Sequence, residues 1–123
     1  MQFPEENALR RERHRLLETI ESLTDDEFDR GSTLCEGWAP RDVLAHVVGA
    51  DSLATYARPS TLTIDRGNAA AVEAGRAVDR AELTDRARQA AANPSLGARA
   101  LAWLLAGDVA LHHQDVLRGL GRP

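Results

Sequence analysis

The chain has 123 residues, a net charge of −4 and 43% hydrophobic residues, which predicts one compact domain able to bury its own core. Aromatic residues are only 4%, so the core is expected to be built from Leu, Ala and Val, a helical rather than a β-sandwich composition. All 15 basic residues are arginine and there is a single cysteine. This excludes Schiff-base and P-loop lysine chemistry, an internal disulfide and a cysteine-rich zinc or iron–sulfur site, and the acidic balance argues against a nucleic-acid partner.

The first predicted helix runs from about Glu5 to Leu23. Leu9, Leu16, Ile20 and Leu23 recur at helical spacing, and Arg10, Arg11, Arg13 and Arg15 alternate with acids as a solvated face. Glu6 and Arg10 form an i,i+4 pair. Thr24-Asp25-Asp26-Glu27 has the form of a capping box and starts a short turn carrying Phe28. A loop from Gly31 to Gly37 follows, with Cys35 near Glu36; no basic neighbour lowers the thiol pKa, so a packed, inert thiol is expected. Trp38 reads as a lid over the bundle end, and His14, in a charged stretch, as solvated.

Pro40 suits the first position of a second helix, expected from Pro40 to about Tyr56, with Val43, Leu44, Val47, Val48 and Leu53 as its apolar stripe. Gly49 within it costs about 1 kcal/mol against Ala and so implies a close neighbour. The third helical region, about Asn68 to Ala92, contains a break in which Asp79 caps a second part beginning near Arg80. The fourth helix is expected from about Leu96 to Leu117, stopped by Gly119 and Gly121. The predicted fold class is all-α, a four-helix bundle. No apolar run reaches the roughly 20 residues a membrane span needs, and no leader pattern opens the chain, so a cytoplasmic protein without membrane partners is expected.

Two helices carry polar residues on apolar faces. His46 lies in the stripe of the second helix. Asp108 and His112 stand four residues apart in the fourth, on a face shared with Leu101, Leu104 and Leu105 that should point toward the core, and Asp115 follows three residues later. A carboxylate aimed at a core is costly unless it is paired or bound to a metal. Two histidines and one carboxylate on facing helices form a metal-ligand set with an open position. Spacing alone is equally compatible with a salt bridge from Asp108 to an arginine and a satisfied core histidine, and it separates His112 from His113 only through the four-residue interval.

Leu34-Cys35-Glu36-Gly37-Trp38-Ala39-Pro40-Arg41-Asp42-Val43-Leu44-Ala45-His46, together with Asp108-Val109-Ala110-Leu111-His112-His113-Gln114-Asp115-Val116 and the closing Leu120-Gly121-Arg122-Pro123, resemble the DinB-like superfamily. Within it they resemble the N-terminal, metal-binding domain of mycothiol-dependent maleylpyruvate isomerases. The likeness extends over nearly the whole chain, with the segment from Ala57 to Pro94 matching only in helical character. It implies a four-helix bundle with a divalent metal held by His46, Asp108 and His112. Zinc is favoured, and iron, nickel or manganese suit the same donors. It also implies mycothiol or a similar thiol as cofactor, its thiolate, formed on the metal, attacking a small electrophilic substrate. The isomerase has Glu at the Asp108 position, a Ser or Thr cap is common at Ala39, and the isomerase continues into a second domain that residues 1–123 do not contain.

The resulting expectation is a metal-dependent, thiol-using transferase or isomerase domain, with Asp115 orienting a ligand histidine and Arg41 and Arg58 attracting an anionic thiol or substrate. The alternative is a non-catalytic, metal-stabilised bundle that dimerises or binds a partner through a small-residue face. Ala69, Ala70, Ala71, Ala74 and Ala77 would supply that face.

Overall fold

The computed structural model describes residues 2–52 and 64–122, and every regular element among them is helical. The helices are α1 (Glu6–Glu21), α2 (Asp25–Arg30), α3 (Pro40–Gly49), α4 (Ile64–Arg76), α5 (Arg80–Ala92), α6 (Leu96–Ala100) and α7 (Ala102–Gly119). α1, α3, α5 and α7 form a ring in which α1 touches α5 and α7, and α3 closes the opposite side against the same two. α4 lies along α3, and α2 packs on the start of α3. This is the DinB-like helical bundle. No helix among the described residues is long and apolar enough to cross a membrane.

The capping chemistry behaves as its residue types dictate. The Thr24 hydroxyl accepts from the Glu27 backbone N–H at 3.1 Å, while the Glu27 carboxylate accepts from the Thr24 N–H at 3.0 Å. Asp79 caps α5 by accepting from Glu82 N–H at 2.8 Å, so the third helical region is two helices. Pro40 opens α3, and Asp42 accepts from the Ala39 N–H at 3.0 Å, supplying the half of a capping box that Ala39 cannot.

The core contains Leu9, Leu16, Ile20, Phe28, Leu44 and Leu83. Three expectations are corrected. α3 ends at Gly49, so Gly49 is not a mid-helix residue; Ala50 caps it, Asp51 and Ser52 are not helical, and residues 53–56 of the expected helix, with Leu53, lie outside the described residues. The fourth helix breaks at Leu101, whose φ of −102° and ψ of 16° leave the helical region. Arg13 is no solvated residue: it is 3% exposed, and its guanidinium donates to Asp51 Oδ1 at 2.7 Å and to the Ala90 carbonyl at 2.9 Å, joining α1 to the end of α3 and to α5.

Candidate metal centre

α3 is buried along nearly its whole length, with Val43, Leu44, Ala45 and Val47 all in the core. His46 is drawn in with them and is 5% exposed. Asp42, one turn earlier, is equally buried and receives Arg76 through Nε at 3.1 Å and Nη2 at 3.2 Å. That ion pair fastens α4 to the start of α3. Sequence reasoning missed it, because Asp42 reads simply as a first-turn acid.

On α7 the core face is Ala102, Ala106, Val109 and Val116. Asp108 and His112 flank this stripe at the junction with α3. Leu104 does not point into the core as expected: it is 53% exposed, and with Leu101 and Leu105 it lines a cavity of about 360 Å³ whose polar end is His46, Asp108 and His112.

The structure brings these three polar residues together. His46 Nε2 lies 3.2 Å from Asp108 Oδ2, His112 Nε2 lies 3.4 Å from Asp108 Oδ1, and the two imidazole centroids are 4.7 Å apart, edge to face. One donor atom from each residue falls within 4.8 Å of the others. Ligand atoms around a tetrahedral zinc with bonds of about 2.1 Å sit roughly 3.4 Å apart. The nitrogen–oxygen separations therefore already have the spacing of metal ligands, and the donor types suit zinc and the later first-row metals. His46 Nδ1, on the far side of the ring from Asp108, is buried with no hydrogen-bond partner among the described residues.

His112 has a carboxylate at each nitrogen. Its Nδ1 lies 3.3 Å from Asp115 Oδ2. A carboxylate at this nitrogen favours the tautomer that leaves Nε2 facing His46 and Asp108. His113, by contrast, faces α1, with Nε2 2.7 Å from Thr19 Oγ1. The structure thus separates the two adjacent histidines, which spacing did only weakly.

Cys35 also reaches the cluster, which the sequence did not indicate. Its Sγ lies 3.3 Å from Asp115 Oδ2, to which the S–H donates, and 3.7 Å from His112 Nδ1. The loop that carries it is tied down at several points. Leu34 N–H donates to the Asp115 carbonyl at 3.2 Å, and the Thr33 hydroxyl donates to the Trp38 carbonyl at 2.8 Å. Gly37 takes a left-handed turn with φ of 80°. Trp38 packs against the core with its ring centroid 5.5 Å from that of His46 and 6.2 Å from that of His112, tilted to both.

The electrostatics follow from this crowding. Burial pushes the Cys35 thiol up to about 11, and the Asp115 and Asp108 carboxylates push the same way. Burial opposes ionisation of Asp108, but hydrogen bonds from His112 and His46 outweigh it and hold the carboxyl well below the usual carboxylate range. The bond to Asp108 raises His112 above the ordinary imidazole value against the effect of its burial, with Asp115 adding to the rise. Arg41 is not free to attract an anion: it donates to Asp29 at 3.0 Å and to the Val78 carbonyl at 2.8 Å. Arg58 lies outside the described residues.

The family model of the mycothiol maleylpyruvate isomerase N-terminal domain matches residues 9–93. The chain belongs to this family. No curated protein and no solved structure matches it significantly. The matched span takes in most of the segment from Ala57 to Pro94, whose sequence likeness is in helical character alone. It includes Cys35, Trp38 and His46 and ends before Asp108, His112 and Asp115. For these last three the case rests on geometry and on the second motif. As a mycothiol isomerase N-terminal domain, the chain is a mycothiol-related helical domain with groups placed to bind a metal.

Proposed function

We propose that residues 1–123 form a single domain that uses a divalent metal and a low-molecular-weight thiol as a transferase or isomerase, with His46, Asp108 and His112 as the metal ligands. The observation that carries this reading is the convergence of two imidazoles and one carboxylate, at ligand spacing, at the end of a cavity large enough for a small molecule. Zinc is the favoured metal. Mycothiol is the favoured thiol, on the strength of the family. A divalent metal at this position supplies a Lewis-acid site at which a bound thiol loses its proton near neutral pH.

The chain's own residues prepare the site in separate ways. Asp108 stays ionised and bridges the two helices. Asp115 holds His112 by Nδ1 and presents Nε2. The protonated Cys35 is a poor nucleophile, so it does not compete with the small thiol for the electrophile. Trp38 packs beside the imidazoles and limits the approach of water from the loop side. A reduced thiol of this kind suits the cytoplasm.

The test is metal content by elemental analysis of protein purified without an affinity tag, with His46→Ala alongside. Wild type should hold about one equivalent of divalent metal per chain and the variant far less, with helicity unchanged. Equal metal in both would refute the ligand assignment.

One observation favours the second reading, a non-catalytic dimerising module. Trp103, Leu104 and Leu111 are exposed large apolar residues on α7. The alanine face expected for that role is incomplete, since Ala71 is buried in the core. A metal-loaded protein that forms a homodimer and shows no thiol-dependent turnover with a generic electrophile would favour the module.

A further inference from the structure

His112 has donors gathered at both of its nitrogens. Nε2 belongs to the cluster with His46 and Asp108, at the end of the 360 Å³ cavity. Nδ1 points away from that cluster, with Asp115 Oδ2 at 3.3 Å and Cys35 Sγ at 3.7 Å. Sγ and Oδ2 are themselves 3.3 Å apart. Cys35 also lines a separate groove of about 560 Å³ on the outer side of its loop. The arginines of that groove, Arg30, Arg41 and Arg76, are each paired with a carboxylate, so they do not bar a cation.

The three donors on the Nδ1 side have the spacing of a metal-ligand set. Around a tetrahedral zinc, with bonds of about 2.3 Å to sulfur and about 2.1 Å to nitrogen or oxygen, edges to sulfur are roughly 3.6 Å and nitrogen–oxygen edges roughly 3.4 Å. The observed edges of 3.7, 3.3 and 3.3 Å fall close to these values. Two donors stand on α7 and the third on the loop, which is tied to α7 at Asp115 itself through the Leu34 N–H at 3.2 Å. The Cys35 N–H is held in turn by Thr33 Oγ1 at 3.1 Å.

The two sides of His112 mirror each other. With an ion on Nε2, the Nδ1–H donates to Asp115. With an ion on Nδ1, the Nε2–H donates to Asp108 Oδ1, 3.4 Å away. In each case one carboxylate ligates and the other orients the ring. The third donor differs: an imidazole from His46 on one side, a thiolate on the other, and sulfur selects softer ions. A neutral imidazole has one lone pair, so the two sides exclude each other.

We propose that Cys35, Asp115 and His112 Nδ1 form a second metal site, for a thiophilic divalent ion entering from the loop groove, alternative to the His46 cluster on the same imidazole. The ion displaces the S–H proton to solvent and bonds to Sγ, Asp115 Oδ2 and Nδ1. With one donor on a loop, this site is less rigid than the cluster built on two helices, so its ion exchanges during purification and is restored by added metal. It needs neither His46 nor a small thiol and stands apart from the thiol-enzyme reading.

The experiment titrates cadmium chloride, under nitrogen, into metal-free wild type and metal-free His46→Ala. Binding is followed by equilibrium dialysis and by the ultraviolet thiolate-to-cadmium charge-transfer band. His46→Ala should take about one cadmium per chain, the band growing in proportion. Adding Cys35→Ser should abolish the band and weaken binding at least about tenfold. Adding Asp115→Asn instead should weaken binding about 10–100-fold. Filling wild type with zinc first should weaken its cadmium binding at least about tenfold, because the His112 lone pair is taken. His46→Gln is the second background if His46→Ala loses helicity. Absence of the band in a helical His46 variant overturns the proposal. So does a band and affinity that Asp115→Asn leaves unchanged, which is binding by the thiol alone, and so does equal cadmium affinity with and without zinc. Zinc retained by purified wild type, with no band in the His46 variants, defeats the second site and leaves the His46 cluster standing. The band in a His46 variant, from a wild type that retains no metal on purification, does the reverse.

Discussion

Asp115 accepts from two neighbours at once, the Cys35 thiol and His112 Nδ1. Its removal should therefore act on both. Asp115→Asn should weaken metal binding about 10–100-fold, measured by competition with a chromogenic chelator, while leaving the far-UV circular dichroism unchanged. The thiol provides a second readout in the metal-free protein. With its pKa near 11, Cys35 should react with iodoacetamide at pH 8 roughly a hundredfold more slowly than an ordinary cysteine. The reaction should accelerate as pH rises toward that value. Asp115→Asn should also speed it at pH 8, because the carboxylate is one of the groups holding the proton on sulfur. A wild-type rate equal to that of a free thiol would contradict the geometry around Sγ.

Close backbone approach decides where the elements meet. A Cβ at Gly75 would lie 2.3 Å from Ala45 Cβ, where α4 crosses α3 one residue before His46. At Gly119 it would lie 2.3 Å from Thr33 Cα and 2.4 Å from the Ser32 carbonyl oxygen, where the end of α7 supports the Cys35 loop. Gly119→Ala must push main chain against main chain, with no flexible side chain to yield. It should cost about 1–3 kcal/mol by urea denaturation. By moving the loop it should also raise Cys35 alkylation in native buffer. Gly107 on the same helix has nothing within 4 Å. Gly107→Ala should be neutral to slightly stabilising, by up to about 1 kcal/mol, which makes it the matched control.

The bundle as a whole is stitched by ions at positions that look superficial in the sequence. Asp51 receives Arg13 from α1 and the Ser95 N–H from the cap of α6, at 2.7 and 3.1 Å. Asp51→Ala leaves the Arg13 guanidinium buried and unpaired and should cost about 3–5 kcal/mol in urea denaturation. Glu6 is buried and bonded to Arg99, which together with Arg10 holds its carboxyl below the usual range against the effect of burial. A folded-state pKa lower than the unfolded one contributes stability above the ordinary carboxylate value of about 4.3, and that stability is lost as pH falls through the folded-state pKa. Thermal denaturation between pH 6 and pH 3 should therefore show an acid limb that is shallower in Glu6→Gln.

Composition, helical periodicity and local residue type determined the all-α class, the capping residues Thr24, Pro40 and Asp79, the apolar stripe of α1 and the four-residue step from Asp108 to His112. Each of these is a local property of a 3.6-residue helix and needs no partner to be read. Only the tertiary structure decided the rest. It set His46 against Asp108 across two helices, sent His113 to Thr19 and folded the loop so that Cys35 reaches Asp115. It buried Arg13, it placed Leu104 on a cavity wall rather than in the core, and it broke the helix at Leu101, where neither Gly nor Pro marks the chain. The physical reason is the same in every case. Hydrophobic pattern says which residues leave water, but the neighbour each one meets depends on how separate helices close on one another. Charge and loop position carry no local signal of that closure.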